Sequence, residues 1–289
     1  MFNLFKKSNL KTINKETLSK EISKFNSLGV TYKENDVVIS LTSFPQRMYE
    51  IHYTIYSLLN QTVKPAEVIL WLGEEQFPNY EKDIPKEVLK LQRNGLTIKW
   101  HKNLRSYTKL VPALKEYQNR MIVTVDDDIY YEKDFLEKLI ETHKQFPNYI
   151  ISHRAHKVKF SKGTIAPYKK WDKCINNSKA SYLNFLTGVG GVLYPPNSLY
   201  KDVLNEELFM ELAPKADDVW FWAMAVLNNT KTVIPKNHVK KLTYVNPERE
   251  RGLTNEITLF SSNKAGGNDS QITNVIKYYP QILDIIKND

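Results

Sequence analysis

Hydrophobic and polar positions alternate between two periods along the first half of the chain. Val37 to Leu41 is an apolar run, the turn from Thr42 to Arg47 is polar and contains Pro45, and Ile51, Ile55, Leu58 and Leu59 then recur at helical spacing. The pattern repeats. After Pro65, EVILWL (Glu67 to Leu72) predicts a second strand, and the segment Pro85 to Asn94 predicts a helix closed by Gly95 as a left-handed cap. LTIKW (Leu96 to Trp100) predicts a third strand, and Thr108 to Gln118 a helix with Pro112 in its first turn. Met121 to Val125 predicts the fourth strand. Strands alternating with helices over about 150 residues predict an α/β fold, a mostly parallel sheet flanked by helices on both faces in the manner of a Rossmann sheet.

Further on, Phe135, Leu136, Leu139 and Ile140 form one stripe of a helix over Lys133 to Gln145, and NYIISHR predicts a short strand. From Ala155 to Asn184 the sequence is basic, aromatic and aperiodic, which reads as a long functional loop or a strand–loop insertion. FLTGVGGVLYPP (Phe185 to Pro196) places three glycines among apolar residues, as a sharp turn or a close backbone approach requires. The run VWFWAMAVL predicts a buried helix opened by Asp217 and Asp218. Strands near Thr232 to Ile234 and Lys240 to Val245, a basic loop at ERERGL and a C-terminal helix through Ile272, Val275 and Ile276 complete the pattern. Asn268 and Gln271 have the spacing of a capping box at the start of that helix. Before the first strand, residues 1–35 scatter Phe2, Leu4, Phe5, Leu10, Ile13, Leu18, Ile22 and Phe25 among lysines. One or two amphipathic helices fit that spacing, packed on the body or laid on a membrane surface.

Charge narrows the partners without choosing among them. A net charge of +9 and an isoelectric point near 9.2 favour nucleotide phosphates, nucleic acid or an anionic membrane. Cys174 is the only cysteine, so an intramolecular disulfide and a cysteine-based zinc site are excluded, and a reducing compartment is expected. No apolar run approaches the roughly 20 residues of a membrane helix, and MFNLFKK is too short in its apolar part for a signal peptide. A soluble, cytoplasmic protein is expected.

The densest chemistry lies where the fourth strand stops, at Asp126, Asp127 and Asp128. In open α/β sheets ligands sit beyond the carboxyl ends of the strands. Three adjacent carboxylates beside an apolar core repel one another, and a divalent metal compensates them economically. An extended chain points Asp126 and Asp128 one way and Asp127 the other. A solvated acidic turn ahead of the helix at Lys133 is the plainer alternative. Asp217 and Asp218 also have a plain reading as first-turn acids favoured by the helix dipole. Beside Trp220 and Trp222, whose rings are platforms for sugars, they instead suggest a second part of the same site.

These segments resemble the GT-A nucleotide-sugar glycosyltransferases. ISLTSFPQR, QTVKPAEVILWL, SYTKLVPAL and VTVDDDIYY are similar to bacterial enzymes related to glycosyltransferase family 2 that build capsule or lipopolysaccharide chains, and the likeness spans about residues 37–280. It implies a single catalytic domain over 36–289, with a nucleotide-binding half at 36–150 and an acceptor-binding half at 151–289. It implies Asp126 and Asp127 on the nucleoside, and Mn²⁺ or Mg²⁺ held at Asp128, with Asp126 and His238 as further candidate ligands and Asp269 as an alternative to His238. Thr42, Ser43, Arg47 and Lys109 would hold the nucleotide of a UDP-sugar, with Arg105 near them. Asp218 corresponds to the general base of inverting members, and Asp217 stands where glutamate is more usual. Gly190, Gly191, Trp220 and Trp222 would face the acceptor, a glycan hydroxyl whose chain is a candidate for lipid linkage. The lysine-rich N-terminus would then suit peripheral attachment to the inner face of the membrane. His153 and His156 are spaced like metal ligands, but Arg154 and Lys157 beside them oppose a cation.

Two other readings compete. A sugar nucleotidyltransferase also needs a metal and a nucleotide, but usually brings a glycine-rich phosphate loop, and LTSFPQR has no glycine. A basic polyanion-binding module would account for the net charge, yet it leaves the acidic triplet unexplained, so nucleic acid is not an expected partner.

Overall fold

The computed structural model describes residues 10–33, 37–239, 241–250 and 267–289. Residues 1–9 and most of the basic loop at ERERGL lie outside the described residues. The chain enters through β1 (Lys11–Thr12) and α1 (Lys15–Lys24), whose N-cap Asn14 accepts from the Thr17 N–H. One amphipathic helix thus forms in the described part of the N-terminal segment. Its apolar positions Leu18, Ile22 and Phe25 pack with Tyr53, Tyr56 and Val245, so that face is already covered by the protein.

The strand–helix units follow the predicted order. β2 (Val38–Thr42), α2 (Ile51–Leu59), β3 (Glu67–Gly73), α3 (Lys86–Leu89), β4 (Leu96–His101), α4 (Val111–Glu116) and β5 (Ile122–Thr124) succeed one another. The predicted helix to Asn94 is α3 continued by a 3₁₀ turn, and Gly95 closes it at φ +109°. Pro112 sits in the first turn of α4, where its missing N–H leaves no intrahelical bond unmade. Next come β6 (Ile129–Tyr130), α5 (Phe135–Gln145) and β7 (Ile150–Ser152).

The aperiodic stretch resolves into short pieces. β8 (Ala155–Lys157) pairs antiparallel with β11 (Asn184–Leu186), and β9 (Phe160–Ser161) with β10 (Thr164–Ile165). The glycine-rich segment makes a 3₁₀ turn over Gly188–Gly190 and then β12 (Val192–Tyr194). After α6 (Glu206–Leu212) and α7 (Asp217–Leu227) come β13 (Thr232–Val233), β14 (Thr243–Tyr244) and α8 (Pro247–Glu250). Two helices, Asn268–Tyr278 and Gln281–Lys287, follow the undescribed stretch. The capping box does not form as predicted. Asn268 is already inside its helix, while Gln271 donates to Gly267 O at 2.8 Å and accepts from the Lys215 N–H at 2.8 Å.

The central sheet has seven strands in the order β13-β7-β12-β5-β2-β3-β4. It is parallel except for β12, which runs antiparallel between β5 and β7. Alternate residues feed two cores. Val38, Ile69 and Ile122 face a cluster with α4, α6, α7 and the last two helices, whereas Ile39, Leu41, Val68, Leu70 and Val123 face one with α2, α3 and α5. A smaller sheet, β1-β14-β6, lies beside the point where β5 stops.

Candidate active site

The strand carrying the triplet ends at Thr124. Val125 still donates to Ser40 O at 3.2 Å, but Asp127 and Asp128 form a turn into β6, and Val245 donates to Asp128 O at 2.9 Å. That turn overturns the alternation expected of an extended chain. Arg47 Nη1 donates both to Asp127 Oδ1 at 2.5 Å and to Asp128 Oδ2 at 2.7 Å, so these two carboxylates converge on one guanidinium. Asp127 is buried and also accepts from Ser43 Oγ at 2.5 Å, while Thr54 Oγ1 donates to its carbonyl at 2.9 Å. Burial alone would lower the pKa of Arg47, but Asp127 and then Asp128 outweigh it, and the guanidinium is held more firmly charged than usual. The Asp126 N–H donates to Tyr131 Oη at 2.9 Å, and that hydroxyl donates to Val189 O at 3.3 Å, joining the triplet to the glycine-rich loop.

Lys109 joins the triplet to the second acidic pair. Its buried Nζ lies 2.8 Å from Asp126 Oδ1 and 3.0 Å from Asp217 Oδ2. Burial opposes its charge, but Asp126, Asp217 and Asp218 more than restore it, so its pKa is raised. Ser40 fixes the backbone beneath: its Oγ donates to Lys109 O at 2.5 Å and accepts from Trp71 Nε1 at 3.0 Å. Neither Asp217 nor Asp218 caps α7, because Ala216 is the N-cap and no side chain bonds there. Instead Asp217 is buried against Lys109, and the partly exposed Asp218 accepts the Gly188 N–H at 2.9 Å. Enclosure by protein, with Asp217 and Asp126 nearby and Lys109 opposing, pushes the Asp218 carboxyl up to about 7. The turn ahead of α7 is anchored by Tyr107 Oη donating to Ala213 O at 2.6 Å and by Arg105 Nη1 donating to Pro214 O at 3.1 Å.

Thr42, Ser43, Arg47, Lys109, the three aspartates and the acidic pair therefore gather in one region, but several expected roles change. Thr42 Oγ1 is committed to Trp71 O at 2.9 Å, and Ser43 and Arg47 hold the triplet itself. Trp220 and Trp222 are fully buried, with their indole N–H groups on Val203 O and Tyr182 O. They present no ring face to an acceptor, because a helix apolar on all sides is buried on all sides. Gly190 and Gly191 serve packing rather than an acceptor. A Cβ at 190 would stand 2.5 Å from Arg154 Cβ, and Gly191, at φ +86°, lies against the Phe135 ring. Gly188 is the glycine that faces the acids: a Cβ there would be 2.8 Å from Lys109 Nζ and 3.1 Å from Asp218 Oδ1. Three glycines in one run gave no signal to separate it from its neighbours.

His238 Nδ1 lies 3.1 Å from Pro235 O, and the residue lines a cavity with His153, Arg154, Cys174 and Lys241 to which, among the described residues, no aspartate contributes. Asp269 Oδ1 accepts the Tyr168 N–H at 2.6 Å and so fastens the turn after β10 to the helix Asn268–Tyr278. His153 and His156 are structural. His153 is buried, with Nε2 2.9 Å from Phe135 O, and His156 Nδ1 accepts the Cys174 N–H at 3.0 Å; burial lowers their pKa values to about 4 and about 3.

Among the described residues no three His, Cys, Asp or Glu side chains converge as a complete metal cage. The donor set still suits a hard cation. Small divalent ions that work on phosphates are commonly held by one or two carboxylates, the substrate's own oxygens supplying the rest. Asp126, whose side chain is 30% exposed against 8% for Asp127 and 13% for Asp128, is the most accessible of the triplet.

The family model for glycosyl transferase family 2 matches residues 49–209, more than half of the chain. No curated protein matches. Among solved structures, CMP:2-keto-3-deoxy-manno-octonic acid synthetase complexed with CTP is similar at TM-score 0.44 and 11% identity, covering 76% of this chain and 97% of that one. S. aureus TarS 1-349 is similar at TM-score 0.47 and 15% identity, over 85% of this chain and 73% of that one. The same protein in complex with UDP gives TM-score 0.47 and 15% identity, over 75% and 63%.

Proposed function

The chain belongs to glycosyltransferase family 2, and on that premise we propose that it transfers a sugar from a UDP-sugar to a hydroxyl of a surface glycan with inversion at the anomeric carbon. Asp218 is the general base. The observation that carries this is the division within the acidic pair: Asp217 is buried and committed to Lys109, whereas Asp218 is partly exposed and held by one backbone N–H. As the acceptor oxygen bonds to the anomeric carbon, the bond from that carbon to the diphosphate breaks and UDP leaves with the electron pair. The hydroxyl proton passes to Asp218. A carboxyl pushed up to about 7 is matched to taking that proton near neutral pH.

Asp126 and Asp128 would hold Mn²⁺ or Mg²⁺, which when bound neutralises charge on the leaving diphosphate. Arg47 keeps Asp127 and Asp128 together, and Lys109 sets Asp126 and Asp217 at a fixed separation. Among the described residues no helix is long and apolar enough to cross a membrane. Because α1 spends its apolar face on the protein, membrane attachment of the described part is not included in the proposal.

The test is turnover of a panel of UDP-sugars by the purified chain with Mn²⁺ and oligosaccharide acceptors, with Asp218→Asn alongside. Transfer by the natural chain, with UDP binding retained but transfer lost in Asp218→Asn, is expected. Absence of both turnover and UDP binding would overturn the reading.

A further inference from the structure

A cavity of about 290 Å³ adjoins the glycine-rich loop through Arg154, which packs against Gly190. Its walls include Lys11, His153, Arg154, Cys174, His238 and Lys241, and among the described residues no carboxylate lines it. Lys11 is paired with Glu132, and His153 is buried and satisfied by Phe135 O and the Val239 N–H. Two cations remain. Neither Arg154 nor Lys241 has a carboxylate at ion-pair distance among the described residues. A basic pocket without its own counter-charge is built for an anion.

Its position ties it to the reaction. Arg154 Nη1 donates to Thr187 Oγ1 at 3.1 Å, and the Thr187 N–H donates back to Arg154 O at 3.0 Å. The next residue, Gly188, holds Asp218. Tyr244, which also lines the cavity, immediately precedes Val245, whose N–H donates to Asp128 O.

We propose that this cavity is an acceptor subsite which takes a phosphate group carried by the acceptor sugar, with Arg154 and Lys241 as its ligands. The inference rests on Asp218 marking the acceptor side. A phosphate bound there orients a neighbouring hydroxyl toward Asp218, so the enzyme selects phosphate-bearing glycans over neutral ones.

Binding of inorganic pyrophosphate and of glucose 1-phosphate to the full chain, measured by calorimetry in chelator with UDP at saturation, separates this site from the donor's. Both probes are expected to bind the UDP-loaded protein, and Arg154→Gln and Lys241→Gln to weaken them by about tenfold or more, as loss of a charge-assisted pair does. UDP affinity should stay within about twofold in both variants, with Arg154→Lys restoring part of the loss. Competition of either probe with UDP at one common site would overturn the proposal, as would unchanged probe binding in both Gln variants. Asp218→Asn should bind the probes normally, so a failure of the general-base assignment is read separately, from transfer activity.

Discussion

The Gly188 N–H donates to Asp218 Oδ1 at 2.9 Å, and a Cβ at position 188 would stand 3.1 Å from that same oxygen. The backbone of the glycine-rich loop therefore sets where the carboxylate points, and the absence of a side chain lets it come that close. Gly188→Ala should lower kcat by about tenfold to a hundredfold, the scale on which small misplacements of a reacting group act. The melting temperature should fall as well, because the added Cβ would stand 2.8 Å from Lys109 Nζ, which is held between Asp126 and Asp217. Steady-state kinetics beside a thermal melt checks both.

Lys109 is the one cation between Asp126 and Asp217 in the described structure. Lys109→Met leaves both carboxylates without their buried partner, which typically destabilises a protein by about 3–5 kcal/mol. Chemical denaturation should show that loss. Lys109→Met/Asp217→Asn should recover much of it, because the second change removes one of the stranded charges.

The raised pKa of Asp218 predicts two pH effects of opposite sense. Transfer needs the carboxylate, so kcat/KM should rise with pH through about 7. Stability moves the other way: with a folded value above the ordinary 3.8, the folded protein holds this proton more tightly than the unfolded chain. That contribution is complete at pH values below the ordinary value and is lost as pH rises through about 7. Asp218→Asn should abolish the kinetic limb and flatten the stability slope over the same window, as pH–rate profiles and melts would show.

Trp222 belongs to the core, with its Nε1 donating to Tyr182 O at 2.8 Å. Trp222→Phe strands that carbonyl and should cost about 1–3 kcal/mol. The KM for acceptor should be unchanged, whereas a sugar platform would lose acceptor affinity; acceptor titrations separate the two.

The residues that declared themselves in sequence did so through period and through local density of charge. β2 to β5 and α2 are visible because apolar spacing responds to burial on both faces of the sheet, and the triplet because three acids at a strand end have few structural excuses. Antiparallel β12 was not legible, since three buried residues carry no mark of direction. Nor were the pairings of Arg47 and Lys109, which join positions about 80 and 108 residues away in the chain and depend on tertiary approach. Trp220 and Trp222 misled because an aromatic beside an acid looks alike in a core and in a sugar site. A helix apolar on every side is buried on every side, whatever charges stand at its start.

The most direct measurement is the rate of sugar transfer by Asp218→Asn and Asp217→Asn, with UDP affinity determined for each. Asp218→Asn should lose transfer by about 10²–10⁴-fold at unchanged UDP affinity, the range for removing a general base. Asp217→Asn should lose mainly stability. Full transfer by Asp218→Asn, or a larger loss in Asp217→Asn than in Asp218→Asn at equal folding, would contradict the assignment of Asp218 as the base.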